Sequence, residues 1–134
     1  IGDWDVSNVT NMFAMFEGNT VFNQPIGNWD VSNCETTSWM FYGNSAFNQD
    51  ISAWDVSNVY AMGGMFQGAN VFNQDIGSWN VSDVILMRGM FEDAASFNQD
   101  LSSWDVSIVS DCEDFSLGAP LTEENTPNFT NCTP

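Results

Sequence analysis

Positive charge is almost missing from this chain. Its 134 residues hold a single cationic side chain, Arg88, and no His, against 18 Asp and Glu, for a formal charge of −17. Nothing can neutralise phosphates, which excludes a nucleic-acid surface and attraction to anionic lipid. Without His there is no Ser–His triad and no His-ligated metal. No apolar run approaches the roughly 18 residues of a membrane span. No signal-peptide pattern is visible, and Ile1 enters in the middle of a motif, so the sequence reads as a piece of a longer array. Cys is scarce, with 3 residues and no C-x-x-C, which argues against a zinc site. Pro is scarce too, and three of the 4 lie beyond residue 119. What is not scarce is apolar bulk. The chain is 43% hydrophobic and 14% aromatic, with 6 Trp and 11 Phe, an apolar load that disordered acidic tails lack. An acidic surface over an aromatic core suits a salty extracellular medium.

The bulk is periodic. Trp4, Trp29, Trp54, Trp79 and Trp104 recur every 25 residues, opening WDVSNV, WDVSNC, WDVSNV, WNVSDV and WDVSIV. Phe22, Phe47, Phe72 and Phe97 keep the same step, each opening FNQ. A fixed period of this length predicts a solenoid, in which each unit covers the apolar side of its neighbour. Within a unit, Ile26-x-x-Trp29-x-Val31 ends in strand-like alternation, whereas Val9, Met12, Met15 and Phe16 fall at helical spacing. Ser7 or Asn8 is placed to cap that helix, and Gly18, Gly43 and Gly68 to end it. The expected fold class is therefore an α/β solenoid with one short parallel strand and one short helix per rung. Residues 1–116 form the solenoid, with four complete repeats and partial first and fifth rungs, continuing upstream of residue 1. Residues 117–134 form a C-terminal cap. The Met columns are read as core filler, since Met adapts to irregular gaps.

The motif FNQDI..WDVSNV..M..MF resembles the repeat of BspA-like leucine-rich-repeat surface proteins, a type also found in mycoplasma lipoproteins and marine microbes. The likeness covers about residues 1–116. It implies a right-handed, leucine-rich-repeat-like superhelix on an exported protein, in a family associated with adhesion. The chain departs from ordinary leucine-rich repeats where an Asn ladder is usual: that column is Val, once Cys34. Asn8, Asn33, Asn58 and Asp83, one residue earlier, are candidates to supply the missing hydrogen bonds. The second unit departs as well, with Thr37 in a Met column and Trp39 where other units have Ala or Gly.

In the tail, Cys112 and Cys132 bracket the capping segment and are expected to form a disulfide, contributing about 3 kcal/mol in the chain-entropy model. Three cysteines allow three single pairings, and free thiols are the alternative. Cys34 is expected to be a buried, inert thiol.

If Trp and Val point inward, the residues beside them form outward columns. Asp5, Asp30, Asp55 and Asp105, with Asn80 among them, make a carboxylate ladder at about 4.8 Å spacing. Two roles fit: weak ligation of Ca²⁺ or another hard cation, or hydrogen bonding within turns. No other cofactor is expected. Four N-x-[ST] sequons occur, at Asn8, Asn80, Asn128 and Asn131, of which Asn128 and Asn131 are the expected glycan carriers in a eukaryotic source. The repeated acids belong to every rung and so read as structural, and no enzymatic activity is expected. The expected function is a non-enzymatic extracellular or cell-surface module. It would serve adhesion, or interaction with a protein or glycan, through a rigid acidic face. The alternative is a structural subunit or spacer of a surface fibre, coat or larger assembly, self-associating with neighbouring copies. The non-repeating aromatics Phe13, Trp39, Tyr42 and Tyr60 are the candidate binding residues.

Overall fold

Whether the Val9–Phe16 spacing becomes a helix is decided by where its backbone N–H groups go. In the computed structural model, which describes residues 1–134, alternate amides part company. The N–H groups of Met12, Ala14, Phe16 and Gly18 donate to the carbonyls of Thr36, Ser38, Met40 and Tyr42 in the next rung, at 3.0, 3.0, 2.9 and 2.7 Å. Those of Met15, Glu17 and Asn19 donate three residues back, to Met12, Ala14 and Phe16. An α-helix needs every N–H to reach the fourth residue before it, so half of its donors are already committed elsewhere. A left-handed residue in each rung closes the option: Ala14, Trp39, Gly64, Gly89 and Asp114 have φ of 55–60°. The donor pattern returns from Thr37 to Gly43, Met62 to Gly68 and Met87 to Asp93.

The expected α/β solenoid, leucine-rich-repeat-like with a strand and a helix in each rung, is therefore corrected. The one helix is a 3₁₀ turn at Glu123–Asn125 in the tail. Strand pairing is reduced to four isolated parallel bridges, Asn11–Thr36, Thr36–Ala61, Ala61–Leu86 and Leu86–Asp111. They lie where the helix was expected, not beside the Trp residues. At the Trp the backbone turns instead: Trp29 N–H donates to Ile26 and Cys34 N–H to Val31. The solenoid and leucine-rich-repeat descriptions fall with the strand and helix that define them. Gly18, Gly43 and Gly68, expected to end helices, are left-handed turn residues with φ of 64–67°. The chain is a pile of coil rungs, one per 25-residue unit.

Side chains hold the pile together. In each complete rung the two Phe rings lie face to face, Phe16 on Phe22 at 3.8 Å and Phe41 on Phe47, Phe66 on Phe72 and Phe91 on Phe97 at 4.0 Å. Between rungs the same rings stack at 5.6–6.0 Å from Phe16 and Phe22 through Phe91 and Phe97. Trp29, Trp54, Trp79 and Trp104 are buried, and each donates its indole N–H to the carbonyl of Ile1, Ile26, Ile51 or Ile76 one rung back, at 3.0–3.2 Å. At roughly 1.5–3 kcal/mol for each large side chain removed from water, burial rather than regular backbone structure supplies the stability. The first rung differs: Trp4 is 53% exposed and Met15 38%.

The FNQ corner carries an amide ladder. Asn23 Oδ1 accepts from Asn48 N–H and from Gln49 Nε2, both at 3.0 Å, and Asn48 and Asn73 repeat the arrangement one rung on. At the far end the tail closes the pile. Leu101 N–H donates to Asn125 O, and Phe129 meets Phe115 edge to face at 5.0 Å. Cys112 and Cys132 are bonded, with Cα atoms 5.8 Å apart.

Candidate functional site

Five columns change in size, charge and polarity from rung to rung. They start at Thr10 (then Glu35, Tyr60, Ile85, Ser110), Asn11 (Thr36, Ala61, Leu86, Asp111), Phe13 (Ser38, Gly63, Arg88, Glu113), Ala14 (Trp39, Gly64, Gly89, Asp114) and Glu17 (Tyr42, Gln67, Glu92, Leu117). All five lie in the segment that carries the bridges. Columns outside this segment vary too, among them those from Asp3 (Asn28, Ala53, Ser78, Ser103), Thr20 (Ser45, Asn70, Ala95, Pro120) and Val21 (Ala46, Val71, Ser96, Leu121). Beyond the first rung, the large apolar side chains left in water are Trp39, Tyr42, Tyr60, Ile85, Leu86 and Leu117 in these columns and Val71 and Ile108 outside them; Phe13 joins the five from the first rung.

Three of the four candidate aromatics come together. Phe13 stacks on Trp39 at 5.8 Å and Trp39 on Tyr42 at 5.4 Å, with interplanar angles of 25° and 29°. They are 54%, 43% and 36% exposed. Trp39 holds φ at 60°, which costs a non-glycine residue about 1–2 kcal/mol. Glycine in the next rung makes room for its indole. A Cβ added at Gly64 would lie 2.5 Å from Trp39 Cδ1 and 2.7 Å from Nε1. Trp39 is also one wall of a shallow depression of about 350 Å³ lined by Gln67, Arg88, Glu92, Asp111 and Asp114 among others. Arg88 is held there by Asp111 at 3.1 Å and by Glu113, and these partners push its pKa up. Tyr60 stands apart from the three rings. It lines a groove of about 610 Å³ with Asn8, Thr10, Asn33, Glu35 and Asn58.

The Asp column is built of closed turns. Asp5 Oδ1 accepts from both the hydroxyl and the N–H of Ser7, at 2.6 and 3.1 Å. Asp30 with Ser32 and Asp55 with Ser57 do the same at the same distances, and Asp105 accepts from Ser107 N–H at 3.1 Å. The Ser hydroxyl first, then the Ser N–H, hold these four carboxyls below the usual range. Asp50 and Asp100 bind Ser52 and Ser102 alike and are lowered for the same reason. No three acidic or thiol side chains converge to hold a metal ion. Of the two roles open to the ladder, turn hydrogen bonding is the one its geometry displays.

Asn33 and Asn58 donate their side-chain amides to Ser7 and Ser32 one rung back, at 2.7 and 2.5 Å. Asn128 and Asn131, the expected sugar carriers, are both exposed, and Asn131 also gives its amide to Ser107 O. Cys34 is buried and free, and burial pushes its thiol pKa up. The amide ladder of the FNQ corner escaped sequence reading. Its signal was present as the Asn-Gln pair that follows Phe22, Phe47, Phe72 and Phe97 without change. No helix is long and apolar enough to cross a membrane.

A family model described as a mycoplasma protein of unknown function, DUF285, matches the chain in two overlapping stretches, residues 1–52 and 28–129. No curated protein and no solved structure matches it.

Proposed function

We propose that this chain, which belongs to the DUF285 family of mycoplasma repeat proteins, is a non-enzymatic adhesive module of a cell surface. It engages an extracellular protein or glycan through a rigid acidic face. One observation carries the reading: Phe13, Trp39, Tyr42 and Tyr60, large and exposed, stand around the bridges at positions that the other rungs mostly fill with small or polar residues. A scaffold that only had to stack has no need of Trp39 or Tyr42 in water. Carboxylates committed to their own serines are parts of turns, which supports a module without catalysis. The BspA-like resemblance of the FNQDI..WDVSNV motif favours the same assignment and an extracellular location.

The test is equilibrium binding to a panel of purified matrix proteins and a glycan array. The wild-type chain is compared with one whose face takes residues of other rungs in the same columns, Phe13→Ser, Trp39→Gly, Tyr42→Gln and Tyr60→Thr. Saturable binding that the reset chain loses supports the proposal. No binding, or binding that survives the reset, sinks it.

A further inference from the structure

We propose that Phe13, Trp39 and Tyr42 form a receptor for the arginine or lysine side chain of a basic protein segment. The inference rests on the surface-module reading and names its partner chemistry. Three observations carry it. First, Trp39 sits in a left-handed position that three other rungs give to Ala or Gly, with nearly half of its surface in water. Every rung needs the left-handed turn, but none needs a large exposed ring on it, and a non-glycine residue kept in such a position is a pointer to function. Second, the ring is seated. Gly64 leaves the space beneath it, and Phe13 and Tyr42 flank it at 5.8 and 5.4 Å, so little freedom is left to lose on binding. Third, the electrostatics select a cation. Aromatic faces attract cations, the molecule carries −17, and Glu17 stands in the Tyr42 column one rung before it. Beyond Trp39 lie Glu92, Asp111 and Asp114. The chain's sole cation, Arg88, is already paired with Asp111 and Glu113. A neutral sugar uses the rings but not this field. A planar guanidinium uses both, and so ranks above an ammonium.

The experiment titrates the chain with short Arg-Gly, Lys-Gly and Glu-Gly repeat peptides and with a neutral oligosaccharide at physiological ionic strength. Titration calorimetry reads affinity in every chain, and the indole N–H resonance of Trp39 reports in the wild type whether the probe meets the ring. The expected order is Arg-Gly, then Lys-Gly, with no response to the other two probes. Trp39→Gly, a substitution that relieves the backbone and leaves the charge unchanged, weakens Arg-Gly binding about tenfold. Asp105→Asn, in a column remote in the rung, leaves it unchanged. Equal Arg-Gly affinity in the wild-type and Trp39→Gly chains means diffuse attraction to acid and overturns the proposal. So does a Trp39 response to the oligosaccharide that matches the peptide's. Full adhesion to a matrix partner by Trp39→Gly overturns the ring site and leaves the module reading intact. Loss of Arg-Gly binding in a chain that adheres to nothing does the reverse.

Discussion

Single residues here are judged by whether they serve the stack or the surface, and the two Trp classes separate cleanly. Trp54 is buried and gives its indole N–H to Ile26, so Trp54→Ala should cost about 3–5 kcal/mol in chemical denaturation, as for large core truncations. Trp39→Gly removes an equally large side chain, yet it should shift stability by no more than about 1 kcal/mol, because relief of the left-handed backbone offsets the lost stacking. Equal losses in the two variants would mean that Trp39 is core. The carboxylates make a pH prediction. Asp5, Asp30, Asp50, Asp55, Asp100 and Asp105 have folded pKa values below the ordinary 3.8. Their contribution is therefore fully present above 3.8 and disappears as pH falls through the lower, folded values. Self-repulsion acts oppositely, easing as carboxylates protonate. Melting temperature at fixed ionic strength should rise from neutral pH toward about pH 4–5 and then fall. A continued rise into stronger acid would show that the turns contribute nothing. The four aromatics were legible as surface candidates because they break the repeat. That three of them touch was not, because contact depends on the left-handed turn that aims Trp39 across the rung.

At the scale of the rung, the lesson concerns periodicity without its usual backbone. Val9, Met12, Met15 and Phe16 sit at helical spacing, and their inward direction was legible. A run of tight turns places side chains at threes and fours as a helix does. What sequence did not reveal is that every second N–H leaves for the next rung, since that choice is made by a neighbour 25 residues away. The Trp–Val alternation misled in the same way: it marks facing, while pairing occurs at Asn11, Thr36 and Ala61. The rung interface predicts that Trp79→Phe, which keeps the ring but leaves Ile51 O without its donor, loses about 1–3 kcal/mol. A change below about 0.3 kcal/mol would show that water replaces the indole. The cap predicts that Cys132→Ser, which opens a loop with a sequence separation of 20, costs about 3 kcal/mol.

For the whole molecule, charge and shape act together. Five rungs carry their acids at fixed heights, and the total of −17 is repelled along one short axis. Added salt should raise the melting temperature, most steeply at low ionic strength where screening changes fastest. A flat response would mean that the carboxylates, held out in water, repel one another too weakly to matter.

The handover of alternate amides sets a ruler for change in length. A single inserted residue between Thr37 and Gly43 exchanges which amides point outward and which fold back, and mis-pairs two interfaces at once. Inserting or deleting a full unit of 25 leaves every handover in phase. Such a chain is expected to lengthen or shorten only in whole turns, as a ladder does by its rungs.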